Sequence, residues 1–349
     1  MPAAVGDPGK PSAPPPLQVQ RVCRWDLDKT YLRTDFDGFG NLLRTALQRA
    51  DQKQSVPGAP ALMRELRGLG SRLCILSGSP RQMRRVLEQK LRLDGVEWDE
   101  FILKPNLSNL MRGRFRALRD QIGYKLPALL ASRNAYTQST GQRLPELLFG
   151  DDAEADAFIY SLYGDLVAAR TNERMLASIL EASELYEDQR KLIAEQVAVL
   201  VPHDAVQRIF ILLERHSPPA RFAPYGRRVV PVYNYFQAAL VAFADGVLPA
   251  ASVLKVAADM VTHAGYGLTA LSNSFQDLLR RGYAEVGALT GLADAVEQYG
   301  SLFDVFRPAR DILEAFVRRL SAVAEQREVE APLAVAIDYV ALLGDTRHV

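Results

Sequence analysis

Short apolar runs alternate with amphipathic stretches along the first half of the chain. Runs at 21–26, 72–76 and 146–149 show no helical period and are bounded by Gly, Pro or charge, which predicts buried strands. A shorter run, Phe101-Ile102-Leu103, ends at Lys104-Pro105 and predicts another. Between them, apolar residues recur three and four positions apart, which predicts helices over Phe39–Ala50, Ala59–Arg67, Arg81–Leu91, Lys125–Ser132 and Asp152–Tyr163. The last of these opens on acids, which suit a helix N-terminus. Strands alternating with helices imply a parallel sheet, right-handed crossovers and a three-layer α/β domain over residues 18–172.

Beyond residue 172 the pattern changes. Asn172–Leu200 has helical spacing with a dense charged face, and further helices are expected at 204–215, 229–244, 249–264, 267–281, 283–299, 308–327 and 331–343. With no strand alternation evident, residues 173–349 read as an all-helical domain. Within it, Arg227–Phe236 is unusually apolar and aromatic and reads as core or as a docking surface. Residues 1–17 are rich in Pro, Ala and Gly, lack the basic start and apolar stretch of a secretory signal, and read as a disordered lead-in. The longest apolar stretch, Ala238–Val253, is interrupted by Asp245, Gly246 and Pro249, so a transmembrane segment is not expected.

Charge adds one asymmetry. Residues 1–172 carry 25 Lys plus Arg against 19 Asp plus Glu, and residues 173–349 carry 17 against 22. The arginines cluster at 81, 84 and 85 and at 112, 114, 116 and 119, as solvated helix faces or as an electropositive approach for a phosphorylated substrate or an anionic membrane. Aromatics are not interleaved with them, so nucleic acid is not an expected partner. The two cysteines, Cys23 and Cys74, fall in predicted core strands without a nearby histidine, which fits a reducing, cytoplasmic setting and not a catalytic thiol. His203, His216 and His263 lack metal-ligand spacing.

The strand ends carry the chemistry. The first delivers Asp26 and Asp28, one residue apart, followed by Thr30. Paired carboxylates repel unless a cation or a proton lies between them. The second ends Leu76-Ser77-Gly78-Ser79-Pro80, a hydroxyl followed by small residues that let backbone N–H groups approach an anion. The third ends Gly150-Asp151-Asp152-Ala153-Glu154-Ala155-Asp156. In open parallel sheets, ligands bind at this C-terminal edge of the strands.

The set Asp26-x-Asp28-x-Thr30, Ser77, a lysine, and Gly150-Asp151 with Asp156 resembles the haloacid dehalogenase superfamily of phosphohydrolases, whose core is Rossmann-like. More narrowly, Pro57-Gly58, Leu76 to Pro80 with Gln82, Tyr124-Lys125, and Gly150-Asp151 leading to Ile159-Tyr160 look like the phosphatidate phosphatases first described in yeast actin patches. That family usually carries serine and glycine where this chain has Asp152-Ala153, and tends to an acidic residue where it has Lys29.

The resemblance implies a Mg2+-dependent phosphatase working through an aspartyl-phosphate. Asp26 would be the nucleophile and Asp28 the general acid and base, while Ser77 and the N–H groups near Gly78 would hold a phosphoryl oxygen. Asp26, Asp28 through its main-chain carbonyl, Asp151 and Asp156 would hold the metal, with Asp152 as an alternative to Asp156. A lysine should neutralise the remaining charge. Lys104 and Lys125 both qualify, and Lys125 matches the family position. The short spacers imply little or no cap, an open site and a bulky substrate, such as a lipid headgroup met by peripheral membrane contact. A phosphatase or phosphotransferase for another phosphoester, or a binding module retaining the fold, are the alternatives. The C-terminal half is expected to shape access without contributing chemistry.

Overall fold

The computed structural model describes residues 19–33, 50–104, 115–284 and 336–346, with a few helical positions between 291 and 315. The lead-in, the helix expected at Phe39–Ala50, the arginines at 112 and 114, the spacer stretches 34–49 and 105–114 that bear on a cap, and most of the helices expected at 283–299 and 308–327 lie outside the described residues.

Among the described residues six strands form one sheet: β1 (Arg21–Asp26), β2 (Ser71–Pro80), β3 (Glu100–Lys104), β4 (Glu146–Asp151), β5 (Val206–Leu212) and β6 (Val229–Val232). Their order is β3-β2-β1-β4-β5-β6, and every neighbouring pair is parallel. The topology is Rossmann-like. Strand order reverses direction between β1 and β4, and at such a switch point the crossovers on either side leave a crevice at the strand C-termini. Both faces are covered, which explains why the strands read as continuous apolar runs. Among the described residues, the α-helices between β1 and β5 are α1 (Ala59–Gly68), α2 (Arg84–Leu93), α3 (Phe115–Thr140), α4 (Asp156–Val167), α5 (Glu173–Ala182) and α6 (Glu187–Ala198). After β6 come α7 (Tyr235–Ala244), α8 (Ala250–Ala264), α9 (Leu268–Arg280) and α10 (Tyr339–Thr346).

The expectation of an all-helical domain after residue 172 is overturned. Helix was expected at 204–215, where β5 stands, and from 229, where β6 precedes α7. Ile209-Phe210-Ile211-Leu212 is a short, unbroken apolar run, and such a run cannot be told from a buried helical segment by period alone. Its β-branched and aromatic content and its fit beside β4 decide for strand. Pro231 is compatible with β6 because that strand is at the sheet edge, where a missing N–H is tolerated. A boundary at 172 therefore cuts through one sheet.

Two apolar cores flank it. On one face, α1, α2, α7, α8 and α9 bury Leu62, Leu87, Leu240, Val256 and Phe275. On the other, α3, α4, α5, α6 and α10 bury Leu126, Ile159, Leu180, Ile193 and Leu343. An aromatic ladder crosses the first face. Trp25 stacks on Phe149 at 3.8 Å, Phe149 on Phe210 at 5.0 Å, and Tyr235 closes on Trp25 at 5.4 Å. It ties β1, β4, β5 and α7 together.

The second face holds a buried ion cluster. Arg24 Nε donates to Glu146 Oε2 at 2.6 Å, Arg133 pairs with Glu146 Oε1, and the Tyr163 hydroxyl donates to Glu146 Oε2 at 2.8 Å. Burial alone would raise the Glu146 carboxyl, but the two arginines outweigh it and hold the group below its ordinary range.

Two helix boundaries also differ from expectation. Lys125 does not open its helix but stands inside the 26-residue α3, which carries Pro127 within it. Helix α4 begins at Asp156 and not at Asp152, because residues 152–155 form a turn around the Asp151 side chain.

Candidate active site

Register explains how distant residues meet. Trp25 pairs with Phe149 and Asp26 with Leu76, so Asp26 ends β1 beside Ser77 on one side and Gly150-Asp151 on the other. All are at the C-terminal edge, next to the switch point. Lys29 then adopts φ 61°, the left-handed region, and turns the chain back after Asp28.

Asp26, Asp151 and Asp156 each present an oxygen within 4.8 Å of the others, and all three are buried. Gly150 makes this possible, since a Cβ there would collide with the Asp156 carboxylate folded beneath it. The Lys125 ammonium lies 2.8 Å from Asp26 Oδ1, 2.5 Å from Asp156 Oδ1 and 2.7 Å from Glu154 Oε2. Its side chain is 1 % exposed. Lys104, at the outer end of β3, makes no ion pair with these acids.

The remaining contacts hold the acids in place. Thr30 Oγ1 donates to Asp151 Oδ2 at 3.1 Å, and the N–H groups of Ala153 and Glu154 donate to Asp151 Oδ1 at 2.6 and 3.0 Å. The Tyr235 hydroxyl, from α7, donates to the Thr30 carbonyl at 2.7 Å. Asp152 turns away and accepts from the Arg215 and Ser217 N–H groups at 2.8 and 3.0 Å. Asp156, not Asp152, therefore joins the cluster.

Asp28 stands apart from the triad. Its carboxylate accepts from the Ser77 hydroxyl at 2.8 Å and from the Ser79 hydroxyl at 3.0 Å. A Cβ on Gly78 would meet nothing within 4 Å, so the space on that side of its backbone is open. The Tyr124 hydroxyl donates to the Ser77 carbonyl at 2.9 Å and steadies this end of β2 against α3.

The electrostatics are lopsided. Burial and then the neighbouring acids Asp156, Glu154 and Asp151 hold Asp26 well above the ordinary carboxylate range, against the pull of Lys125. Burial, Asp156 and Glu154 do the same to Asp151. Asp156 is pushed up to about 6 by burial and Glu154, with Lys125 opposing. Burial and Glu154 raise Asp28 despite its two hydroxyl donors. Burial alone would lower Lys125, but Asp156, Asp26 and Glu154 drive it well above its ordinary value. One ammonium does not neutralise so many acids.

A hard dication fits that excess. Mg2+ takes oxygen ligands in an octahedral shell with few carboxylates. Asp26 Oδ2 is buried without a hydrogen-bond partner, and Oδ1 meets Lys125 as an ion pair without hydrogen-bond geometry. These are the groups that a cation would satisfy.

Other expectations fare unevenly. Burial pushes both the Cys23 and Cys74 thiols up to about 12, as apolar core thiols. Arg84 is engaged with Glu88 and the Phe101 carbonyl, and Arg119 with Tyr186, so those two arginines do structural work. Among the described residues no helix is long and apolar enough to cross a membrane. The sequence reading missed Glu154 on Lys125, Ser79 on Asp28 and Tyr235 on Thr30. Strand alternation from Ser77 would have found Ser79. No family model matches the chain, and neither a curated protein nor a solved structure matches it.

Proposed function

We propose that the protein is a Mg2+-dependent phosphohydrolase acting through an aspartyl-phosphate on Asp26. One observation carries the reading. Asp26, Asp151 and Asp156 converge at the switch-point edge around Lys125, while Asp28 is held separately by Ser77 and Ser79.

Asp26, Asp151 and Asp156 would hold the metal, which supplies positive charge that masks the phosphoryl oxygens. The Asp26 carboxylate attacks phosphorus, and the phosphorus–ester oxygen bond breaks. The departing alkoxide takes its proton from Asp28, whose raised proton affinity suits an acid. Asp28, now ionised, takes a proton from water. That water attacks the aspartyl-phosphate, releases inorganic phosphate and restores Asp26. Lys125 keeps Asp26 aimed and neutralises the transferring group, and Ser77 with the Gly78 N–H holds a phosphoryl oxygen.

A lipid phosphomonoester of the phosphatidate kind is the substrate class favoured here. That choice rests on the sequence resemblance at Pro57-Gly58, Leu76 to Pro80 with Gln82, and Tyr124-Lys125. The test is a substrate panel on the purified chain. Aryl phosphate hydrolysis should require Mg2+ and stop with a chelator, and phosphatidate in mixed micelles should outcompete soluble phosphoesters. Metal-independent hydrolysis, or none, would overturn the mechanism. Better turnover of soluble phosphoesters would overturn only the lipid assignment.

A further inference from the structure

Three carboxylate oxygens stand within 2.8 Å of Lys125 Nζ and together outweigh its single positive charge. A phosphoryl oxygen must compete with one of them for that charge. If Lys125 is to neutralise the phosphoryl oxygen, as the proposed phosphohydrolase requires, one acid must leave. Asp26 is the attacking group and is buried. Asp156 is fully buried beneath Gly150 and accepts from the Asp151 N–H at 3.3 Å. Glu154 differs from both. It is 23 % exposed and sits on the turn before α4, where its own N–H is the group bonded to Asp151. Its side chain can rotate into solvent without disturbing that bond.

We propose that Glu154 mimics the substrate: its carboxylate holds the place of a phosphoryl oxygen on Lys125 and is displaced into solvent when a phosphomonoester binds. The inference rests on the phosphohydrolase reading. It gives Glu154 a specific part in selection. A dianionic phosphoryl group, better able to satisfy Lys125, evicts the single negative charge of Glu154. A singly charged carboxylate or sulfate ester competes with it on less favourable terms.

The test compares the full chain with Glu154→Gln and Glu154→Ala, each loaded with Mg2+. Removing the rival charge should tighten inorganic phosphate, measured by calorimetry, and lower KM for an aryl phosphate by about fivefold or more, with the gain in KM and not in kcat. A sulfate-bearing analogue should gain more than the aryl phosphate, so that discrimination against it narrows. A raised KM, or a fall in kcat at unchanged KM, would overturn the proposal and make Glu154 a group that aids the chemistry. A loss of Mg2+ affinity of about tenfold in either variant would overturn it in favour of metal ligation. If neither wild type nor variants hydrolyse the aryl phosphate, the phosphohydrolase reading itself fails, and this inference with it.

Discussion

Both oxygens of Asp26 are buried, and Oδ1 lies 2.8 Å from the Lys125 ammonium. Asp26→Asn keeps the volume and removes both the nucleophile and a metal oxygen. Turnover of an aryl phosphate should be lost while circular dichroism is unchanged. Residual activity within about tenfold of wild type, a barrier change of only about 1.4 kcal/mol, would contradict covalent catalysis. Lys125→Ala should lower activity more than Lys104→Ala, because Lys104 stands at the end of β3 and makes no ion pair with the site acids. The reverse order in kcat/KM would reassign the cation. Much of this site was readable in the sequence, because Asp26 and Asp151 end strands of a parallel sheet and Ser77 lies near the C-terminal end of another. Glu154 and the Asp152–Asp156 choice were not. The four turn residues 152–155 decide which acid points where, and spacing alone does not carry turn geometry.

Elements were legible in proportion to how long and periodic they are. Helices α8 and α9 fall within a residue of expectation, whereas β5 and β6 were misread. Four apolar residues in a row support either structure until a neighbouring strand edge is known. The Arg24–Glu146–Arg133 cluster was equally invisible, since it joins β1, β4 and α3 across 122 residues. It also yields a clear test. Glu146→Ala would leave two buried guanidinium groups uncompensated, and should cost about 3–5 kcal/mol in denaturant unfolding. In the wild type, Glu146 has a folded-state affinity for protons below that of the unfolded chain. Its contribution is therefore present above the unfolded value, about 4.3, and lost as pH falls through the lower folded value. Acid unfolding monitored by fluorescence should show an extra loss in this range that Glu146→Ala lacks. A variant as stable as wild type would remove the cluster from any account of the core.

For the whole molecule, the site works against the fold until a cation arrives. Asp26 and Asp151 bind protons well above the ordinary range, and Asp156 does so up to about 6. Groups raised in this way contribute stability at low pH, and that contribution is lost as pH rises through the folded value. Metal-free protein should thus melt at a lower temperature at about pH 7.5 than at about pH 5.5. Mg2+ should reverse the deficit at the higher pH, by about 2.7 kcal/mol at a hundred times its dissociation constant. Equal melting temperatures with chelator and with Mg2+ would mean that no cation binds there. The sheet gives the last prediction. Every acid of the site lies before residue 172, so a truncation there keeps the whole catalytic set in sequence. It also removes β5, β6 and α7, strips Phe210 and Tyr235 from the aromatic ladder, leaves β4 as a bare edge and cuts the Tyr235 bond that steadies Thr30. One sheet cannot be divided between its fourth and fifth strands without exposing both of its apolar faces. The 1–172 piece should therefore be unfolded or aggregated by circular dichroism and inactive with Mg2+. A folded, active piece would show that the two added strands are an accessory to a self-sufficient catalytic core.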